Sequence, residues 1–313
     1  MNEQHVQKSH EKPAAGKKRL AISVFRWVWL LFVFGGSGYY LTVHGETFLD
    51  NLRALSFEKA FMSVALLLAA KYFVSESARL SLDEVDIQYS RKEMYYVYAV
   101  SDAAKYLPGG VWGLVGRFGM YSLRQIPIAS SLKAMALENA WLIISSVFIG
   151  LIFSIDYFEY WFIEEASFHL SDWMLVVGGG IALILWTICL WFFTVAICRK
   201  KQEISTVLKV VGLHSVIGLL LGLHFAVLTG STDLVLLSIG IFAIARALGY
   251  LSFFAPAGIG VREVVIVVML ANWVDTDHAI FLAAASRILT VVSELGTLPV
   301  VTLVLRPKAS PAQ

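Results

Sequence analysis

Long apolar stretches, separated by short polar segments, dominate the hydropathy pattern of the chain. Each contains about 20 or more mostly apolar residues, the length that a helix needs to cross the roughly 30 Å hydrocarbon core of a bilayer. These stretches cover 21–43, 57–80, 131–153, 173–197, 208–229, 234–254 and 278–305. The pattern therefore predicts an all-α protein, a polytopic transmembrane helical bundle.

Two further apolar stretches, 94–116 and 255–274, are interrupted by proline and glycine. Proline ends helices because it lacks a backbone donor, and glycine permits tight turns. Within a bilayer, irregular backbone survives only where protein or a water-filled cavity satisfies its polar groups. We predict about eight spans in all, with 262–274 making one short crossing, and two broken or re-entrant segments. The pattern leaves open whether each broken segment crosses the membrane or re-enters it.

The two interruptions share a pattern: an aromatic residue, then Pro-x-Gly, a further glycine and an arginine. The first contains Tyr106, Pro108, Gly109, Gly110, Gly113, Gly116 and Arg117, and the second contains Phe254, Pro256, Gly258, Gly260 and Arg262. Broken helices place new helix N-termini inside the membrane, where they attract anions. Transporters use paired interrupted helices to form a substrate site near the bilayer midplane. Two matching breaks favour such a site, and two packing kinks are the alternative.

The overall composition excludes a soluble enzyme. The chain is 58% hydrophobic and 15% charged, with a mean hydropathy of +0.71, whereas soluble domains carry about 25% charged residues. The net charge of +2 is too small to indicate a nucleic-acid partner. Cys189 and Cys198 form neither a disulfide framework nor a metal site. The glycines after Pro108 lack the Gly-Lys-Ser/Thr ending of a phosphate-binding loop. We expect no metal and no cofactor.

Lysine and arginine positions predict the orientation, because basic loops stay in the cytoplasm. The basic segment 1–20 is predicted to be a disordered cytoplasmic tail, and the acidic loop 154–172 is placed outside. The basic loop 199–209 and the short tail 306–313 are placed inside. Residues 21–305 then form a single transmembrane domain in the cytoplasmic or inner cell membrane, with both termini in the cytoplasm.

Several ionisable residues fall at membrane depth, where each charge costs about 2.5–3.5 kcal/mol on insertion scales. They must pair with one another or line a wet cavity. Asp102 and Lys105 flank the first break. The others are Arg117, Glu138, Arg246, Arg262, Glu263, Arg287 and Glu294. Pairing alone, for example Arg287 with Glu294 or Glu138 with an arginine, is one interpretation.

The other interpretation is an anion site. The residues at membrane depth include four arginines and three glutamates, which leaves a surplus of one positive charge. Guanidinium groups suit phosphate, because they can donate two parallel hydrogen bonds to it. Lys71, Glu76 and Arg79 lie toward the cytoplasmic end of the second stretch and are predicted to snorkel or to pair. Contact with the substrate is the less favoured alternative.

Two motifs and several single residues follow one another in a characteristic order. They are Tyr106-Leu107-Pro108-Gly109-Gly110 with Arg117, then Glu138, Pro256-x-Gly258-x-Gly260-x-Arg262-Glu263 and Arg287. In these residues the chain resembles the flippase-like membrane domain of lysylphosphatidylglycerol synthases. The resemblance covers about 20–305. It implies a domain that moves an anionic or sugar-bearing lipid between leaflets, in a cell-envelope lipid or polysaccharide pathway. The soluble aminoacyltransferase domain of the full synthases has no counterpart here, so synthesis of lysylphosphatidylglycerol is not expected.

The leading hypothesis is an integral membrane protein that binds and translocates an anionic or glycan-linked lipid, either a phospholipid or a polyprenyl-phosphate-linked one. A membrane glycosyl- or head-group transferase is the first alternative, and a non-catalytic scaffold of an envelope-assembly complex is the second. Envelope-pathway enzymes are candidate partners. The predicted substrate-binding residues are Pro108, Gly109, Gly110, Arg117, Glu138, Arg246, Pro256, Gly258, Gly260, Arg262, Glu263, Arg287 and Glu294. No catalytic residues are predicted, because no serine, cysteine or histidine has the neighbours that a nucleophile needs.

Overall fold

The computed structural model describes residues 13–106, 112–155, 157, 172–199, 203–252, 255 and 258–305. Within these residues the chain is helical and contains no strand, which confirms the predicted all-α class. The α-helices are α1 Pro13–Ala54, α2 Phe57–Asp83, α3 Arg91–Ala103, α4 Trp112–Ser122, α5 Ile128–Phe153, α6 Asp172–Cys198, α7 Ile204–Thr229, α8 Val235–Leu251, α9 Val261–Leu270 and α10 Thr276–Val304.

The exterior of the bundle is apolar, as expected for a protein that spans a membrane. Four of the described helical segments are long and apolar enough to cross a bilayer, namely α5, Val177–Cys198 within α6, α7 and α10. Large side chains such as Leu31 and Phe32 on α1 and Phe192 on α6 are mostly exposed. Contiguous apolar surface of this extent is rare on soluble proteins, so we assign it to lipid contact.

The centre of the bundle is built on close contacts between α5, α7 and α8. Glycines allow these helices to approach one another closely. A β-carbon on Gly222 of α7 would collide with Ile239 of α8, and one on Gly150 of α5 would collide with Ile244. Small residues at such crossings let helices pack through backbone contact, which is the usual way of holding helices together in a bilayer.

Helices α3 and α4 flank the first predicted break and pack side by side. They have 13 and 11 residues, about 20 and 17 Å in length, so neither alone crosses a 30 Å core. A 3-10 turn, Ala104–Tyr106, ends the first arm. A β-carbon on Gly113 of α4 would lie 3.2 Å from the Ser101 carbonyl of α3. The two arms therefore form a tight helical hairpin, whose connection at 107–111 lies outside the described residues.

The second predicted break separates α8 from α9, which confirms the predicted interruption. Gly258 and Gly260 have φ angles of +68° and +87°, in the left-handed region that favours glycine. A β-carbon on Gly258 would lie 3.0 Å from Cα of Gly249, so the chain turns back directly against α8. From α1, the indole of Trp29 donates a 2.9 Å hydrogen bond to the Ile259 carbonyl. The 10 residues of α9 extend about 15 Å, half of a hydrocarbon core.

Candidate functional site

A cavity of about 90 Å³ lies between described residues that flank the two helix breaks. Lys105 reaches it from the turn before the first break, and Arg262 reaches it from the first turn of α9, after the second break. The lining residues also come from α2, α7, α8 and α10. They are Leu67, Lys71, Val74, Tyr98, Asp102, Lys105, Leu221, Phe242, Arg246, Tyr250, Arg262, Thr290, Ser293 and Glu294.

One side of the cavity holds a compact ion network. The Lys105 ammonium lies 3.2 Å from the Asp102 carboxylate on α3 and 2.9 Å from the Glu294 carboxylate on α10. The Tyr106 hydroxyl donates a 2.5 Å hydrogen bond to the second oxygen of Glu294. One lysine therefore contacts both carboxylates that line the cavity, and this network connects the residues before the first break to α10.

The other side of the cavity carries cations without such partners. Lys71 Nζ, Arg246 Nε and Arg262 Nε are buried and make no hydrogen bond within the part of the chain that the structure describes. Lys71 and Arg246 are each only 7% exposed. These residues belong to α2, α8 and α9 and converge on one volume. An uncompensated buried charge costs several kcal/mol, and no described group offers these three nitrogens a hydrogen bond.

Aromatic rings offer these two arginines only weak compensation. The guanidinium carbon of Arg262 lies 5.0 Å from the centre of the Phe242 ring, and that of Arg246 lies 5.9 Å from the centre of the Tyr250 ring. Cation–π contacts at such distances contribute about 0.5–2 kcal/mol, less than an ion pair with a buried anion. The rings therefore compensate only part of the cost of taking these two charges out of water.

Arg117, which the sequence placed at the substrate, is satisfied elsewhere. Its guanidinium lies 2.6 Å from the Glu138 carboxylate and 3.3 Å from the Ser101 hydroxyl, and it stacks over the Tyr98 ring at 4.4 Å. Neither Arg117 nor Glu138 is among the residues that line the cavity. The interpretation of Glu138 as the partner of an arginine is confirmed.

Glu263 and Arg287 support the second break. The Glu263 carboxylate accepts a 2.8 Å hydrogen bond from the Gly260 amide, and it lies 3.8 Å from Nε of Arg287. Glu294, suggested above as the partner of Arg287, is held by Lys105 and Tyr106. Of the predicted substrate-binding residues, Arg246, Arg262 and Glu294 line the cavity. Gly258 and Gly260 shape the turn beside it, and Pro108, Gly109, Gly110 and Pro256 lie outside the described residues.

Lys71 is the main residue that sequence reasoning misplaced. It was predicted to snorkel or pair near one end of its span, but it lies near the middle of α2 and faces the cavity. Its neighbour Arg79 does pair, at 2.8 Å from Glu76 and 2.7 Å from Asp83. The position of Lys71 near the middle of an apolar run was the signal that should have identified it, because snorkelling is possible only near helix ends.

A smaller cavity of about 10 Å³ adjoins the first and shares Arg246 with it. It is lined in part by Ser145, Ser146 and His214, and the His214 imidazole lies 2.9 Å from the Ser77 hydroxyl. This volume corresponds to about one water molecule, so it offers no room for a substrate. Within the described residues, no cluster of histidine, cysteine, aspartate or glutamate has the composition of a metal site.

The chain matches no protein-family model and no curated protein. Function must therefore be argued from the chemistry of the cavity and from the two helix breaks beside it.

Proposed function

We propose that this protein binds the anionic head group of a membrane lipid, phospholipid or polyprenyl-phosphate-linked, and moves that lipid between leaflets. The supporting observation is a set of three cations around one cavity, Lys71, Arg246 and Arg262, each with a buried nitrogen that has no hydrogen-bond partner among the described residues. A protein gains nothing in stability from burying unpaired charges. Their burial is explained when a ligand supplies the missing negative charge.

The surroundings of the cavity favour a lipid over a free solute. Apolar side chains such as Leu67 and Val74 line it together with the charges, and the outer faces of the bundle are strongly apolar. A head group can occupy the charged volume while its chains remain in the hydrocarbon outside. Guanidinium forks bind phosphate in particular, because they present several donors in one plane.

The network around Lys105 supplies a means of coupling binding to motion. An anion that enters the cavity competes with Glu294 for the Lys105 ammonium, which now lies 2.9 Å from that carboxylate. Loss of this contact weakens the link between the first break and α10. Exchange of Lys105 between Glu294 and substrate would thus shift the balance between inward-open and outward-open states, as alternating access requires.

The multi-pass orientation, with both termini in the cytoplasm, and membership of the flippase-like family are parts of this proposal. They are supported by the distribution of basic residues and by the motif residues around the two breaks. The transferase alternative has less support. A transferase would need a general base, and two carboxylates at membrane depth, Glu138 and Glu263, are already engaged by Arg117 and by the Gly260 amide.

Lipid movement in reconstituted vesicles tests the proposal. Purified protein is reconstituted with a fluorescent phosphatidylglycerol or a fluorescent polyprenyl phosphate, and quenching from outside reports how much lipid changes leaflet. We expect movement of at least one of these lipids, and loss of that movement in Arg246→Ala and Arg262→Ala variants.

The control is Lys209→Ala, which alters an exposed lysine of α7. Absence of movement for both lipids, or full activity of the two arginine variants, would contradict the proposal. A scaffold would tolerate both arginine substitutions.

A further inference from the structure

We infer that the group bound in the cavity is dianionic, a terminal phosphate monoester rather than the phosphodiester of common phospholipids. This inference rests on the proposed function and specifies its substrate class. It follows from the charges that line the cavity and from the arrangement of the nitrogens that have no hydrogen-bond partner among the described residues.

The charge of the lining matches a dianion. Four cationic side chains face two carboxylates there, which leaves a surplus of two positive charges. Lys105 balances one of the two carboxylates that it contacts. The other carboxylate is set against Lys71, Arg246 and Arg262, and these three cations therefore leave the surplus of two positive charges. A phosphodiester carries one negative charge and would leave one of the two surplus positive charges uncompensated. A phosphate monoester carries about −1.5 to −2 near neutral pH.

The arrangement of the donors also fits a terminal group. Lys71, Arg246 and Arg262 approach from α2, α8 and α9, that is, from three different helices around one volume. Donors on several sides can contact the three free oxygens of a monoester at the same time. A diester has two free oxygens, and its two ester oxygens carry substituents that would face some of these donors.

A monoester also differs from a phosphodiester in its number of substituents. The charged side chains of the cavity lie beside apolar ones, such as Leu67 and Val74. A monoester needs a single exit, along which its one lipid chain leaves toward the hydrocarbon.

Two small soluble esters test the charge requirement. The purified protein is titrated calorimetrically at pH 8 with methyl phosphate, which is dianionic there, and with dimethyl phosphate, which carries one negative charge. We expect methyl phosphate to bind at least about tenfold more tightly, in line with the cost of leaving a buried charge unpaired. Equal affinities, tighter binding of dimethyl phosphate, or binding of neither ester would overturn the inference.

Removal of one surplus charge tests the role of the lining. Lys71→Met should weaken methyl phosphate binding at least about tenfold and affect dimethyl phosphate less. The variant is expected to fold, because it removes a buried charge that lacks a partner. Arg246→Met provides a second test at an independent position, and Lys209→Met controls for the same substitution at an exposed lysine. Equal losses for the two esters in both cavity variants would show that the site does not require two charges.

The vesicle assay separates this inference from the proposed function. Movement of polyprenyl monophosphate but not of phosphatidylglycerol supports both. Movement of phosphatidylglycerol alone would overturn the inference and retain lipid translocation. Selective binding of methyl phosphate without movement of either lipid would retain the dianion site, assign it to a soluble phosphate monoester and overturn translocation.

Discussion

The guanidinium of Arg117 lies 2.6 Å from the carboxylate of Glu138, and this buried ion pair joins α4 to α5. Arg246 is buried to a similar extent, yet its Nε has no hydrogen-bond partner among the described residues. The protein thus holds two kinds of buried arginine. One joins the helical hairpin to the bundle through an ion pair, and the other faces a cavity.

The Arg117–Glu138 pair should be structural. Glu138→Leu leaves the guanidinium buried without its partner and should lower the free energy of unfolding by about 3–5 kcal/mol. The double variant Arg117→Met/Glu138→Leu removes both charges and should recover most of that loss, since apolar replacement of a whole buried pair is often neutral. Chemical unfolding in detergent, followed by circular dichroism, measures both effects.

The same double variant separates packing from substrate binding. If Arg117 acts only through Glu138, the double variant should move lipid at close to the wild-type rate, whereas Arg246→Ala should not. A double variant that is as stable as the wild type but moves no lipid would place Arg117 at the substrate, as the sequence pattern first suggested.

The close approach of Gly258 to Gly249 should tolerate no side chain. Gly258→Ala imposes a φ of +68° on alanine and places its β-carbon 3.0 Å from the Gly249 Cα, so we expect a loss of about 1–3 kcal/mol. Gly296→Ala is the matched control, because nothing lies within 4 Å of its added β-carbon in α10. That variant should be neutral or gain up to about 1 kcal/mol. A comparison of the thermal unfolding midpoints of the two variants tests this prediction, and equal midpoints would be inconsistent with a strained turn.

Periodicity and composition were sufficient to predict the helical bundle and the positions of both breaks. Apolar runs of bilayer length have few structural solutions, because every backbone group must be satisfied within the membrane. Gly258 and Gly260 were correctly assigned to a break, since only glycine adopts their backbone conformation without strain.

The partners of the buried ions were harder to predict than the helices. Glu294 and Arg287 share one helix and suggested a pair, but Glu294 is held by Lys105, 189 positions away in the chain. Such a contact depends on how α3 packs against α10, which no local pattern contains. The cavity-facing position of Lys71 is of the same kind, because the face of α2 that becomes buried is decided by its neighbours.

The start of the helical hairpin should depend on its N-cap. Ser90 accepts a hydrogen bond from the Glu93 amide, and the Glu93 carboxylate accepts one in return from the Ser90 amide. Burial alone would raise the pKa of Glu93, but hydrogen bonds from Ser90 and Arg124 outweigh it and lower that pKa. This contribution is therefore present at neutral pH and is lost as the pH falls through the lowered value.

Ser90→Ala should cost about 0.5–2 kcal/mol at pH 7 and less in acid, where Glu93 is protonated. Ser122→Ala is a suitable control, because the Ser122 hydroxyl donates only to the Gly119 carbonyl of its own helix. Unfolding curves at pH 7 and pH 2 measure the difference. An equal cost at both pH values would show that Glu93 does not take part in the cap.

Neutralising Glu294 should strengthen anion binding. Glu294→Gln keeps a hydrogen-bond acceptor near Lys105 and Tyr106 but raises the positive surplus of the cavity from two to three. Two unit charges 4–6 Å apart interact by about 3–4 kcal/mol at an effective dielectric of 20, and 1.4 kcal/mol is a tenfold change in affinity. We therefore expect methyl phosphate to bind at least about tenfold more tightly to this variant in a calorimetric titration.

The matched control is Glu203→Gln at the exposed start of α7, which should leave the affinity unchanged. If both variants bind methyl phosphate like the wild type, Glu294 does not compete with the anion for Lys105, and the proposed exchange of partners is wrong.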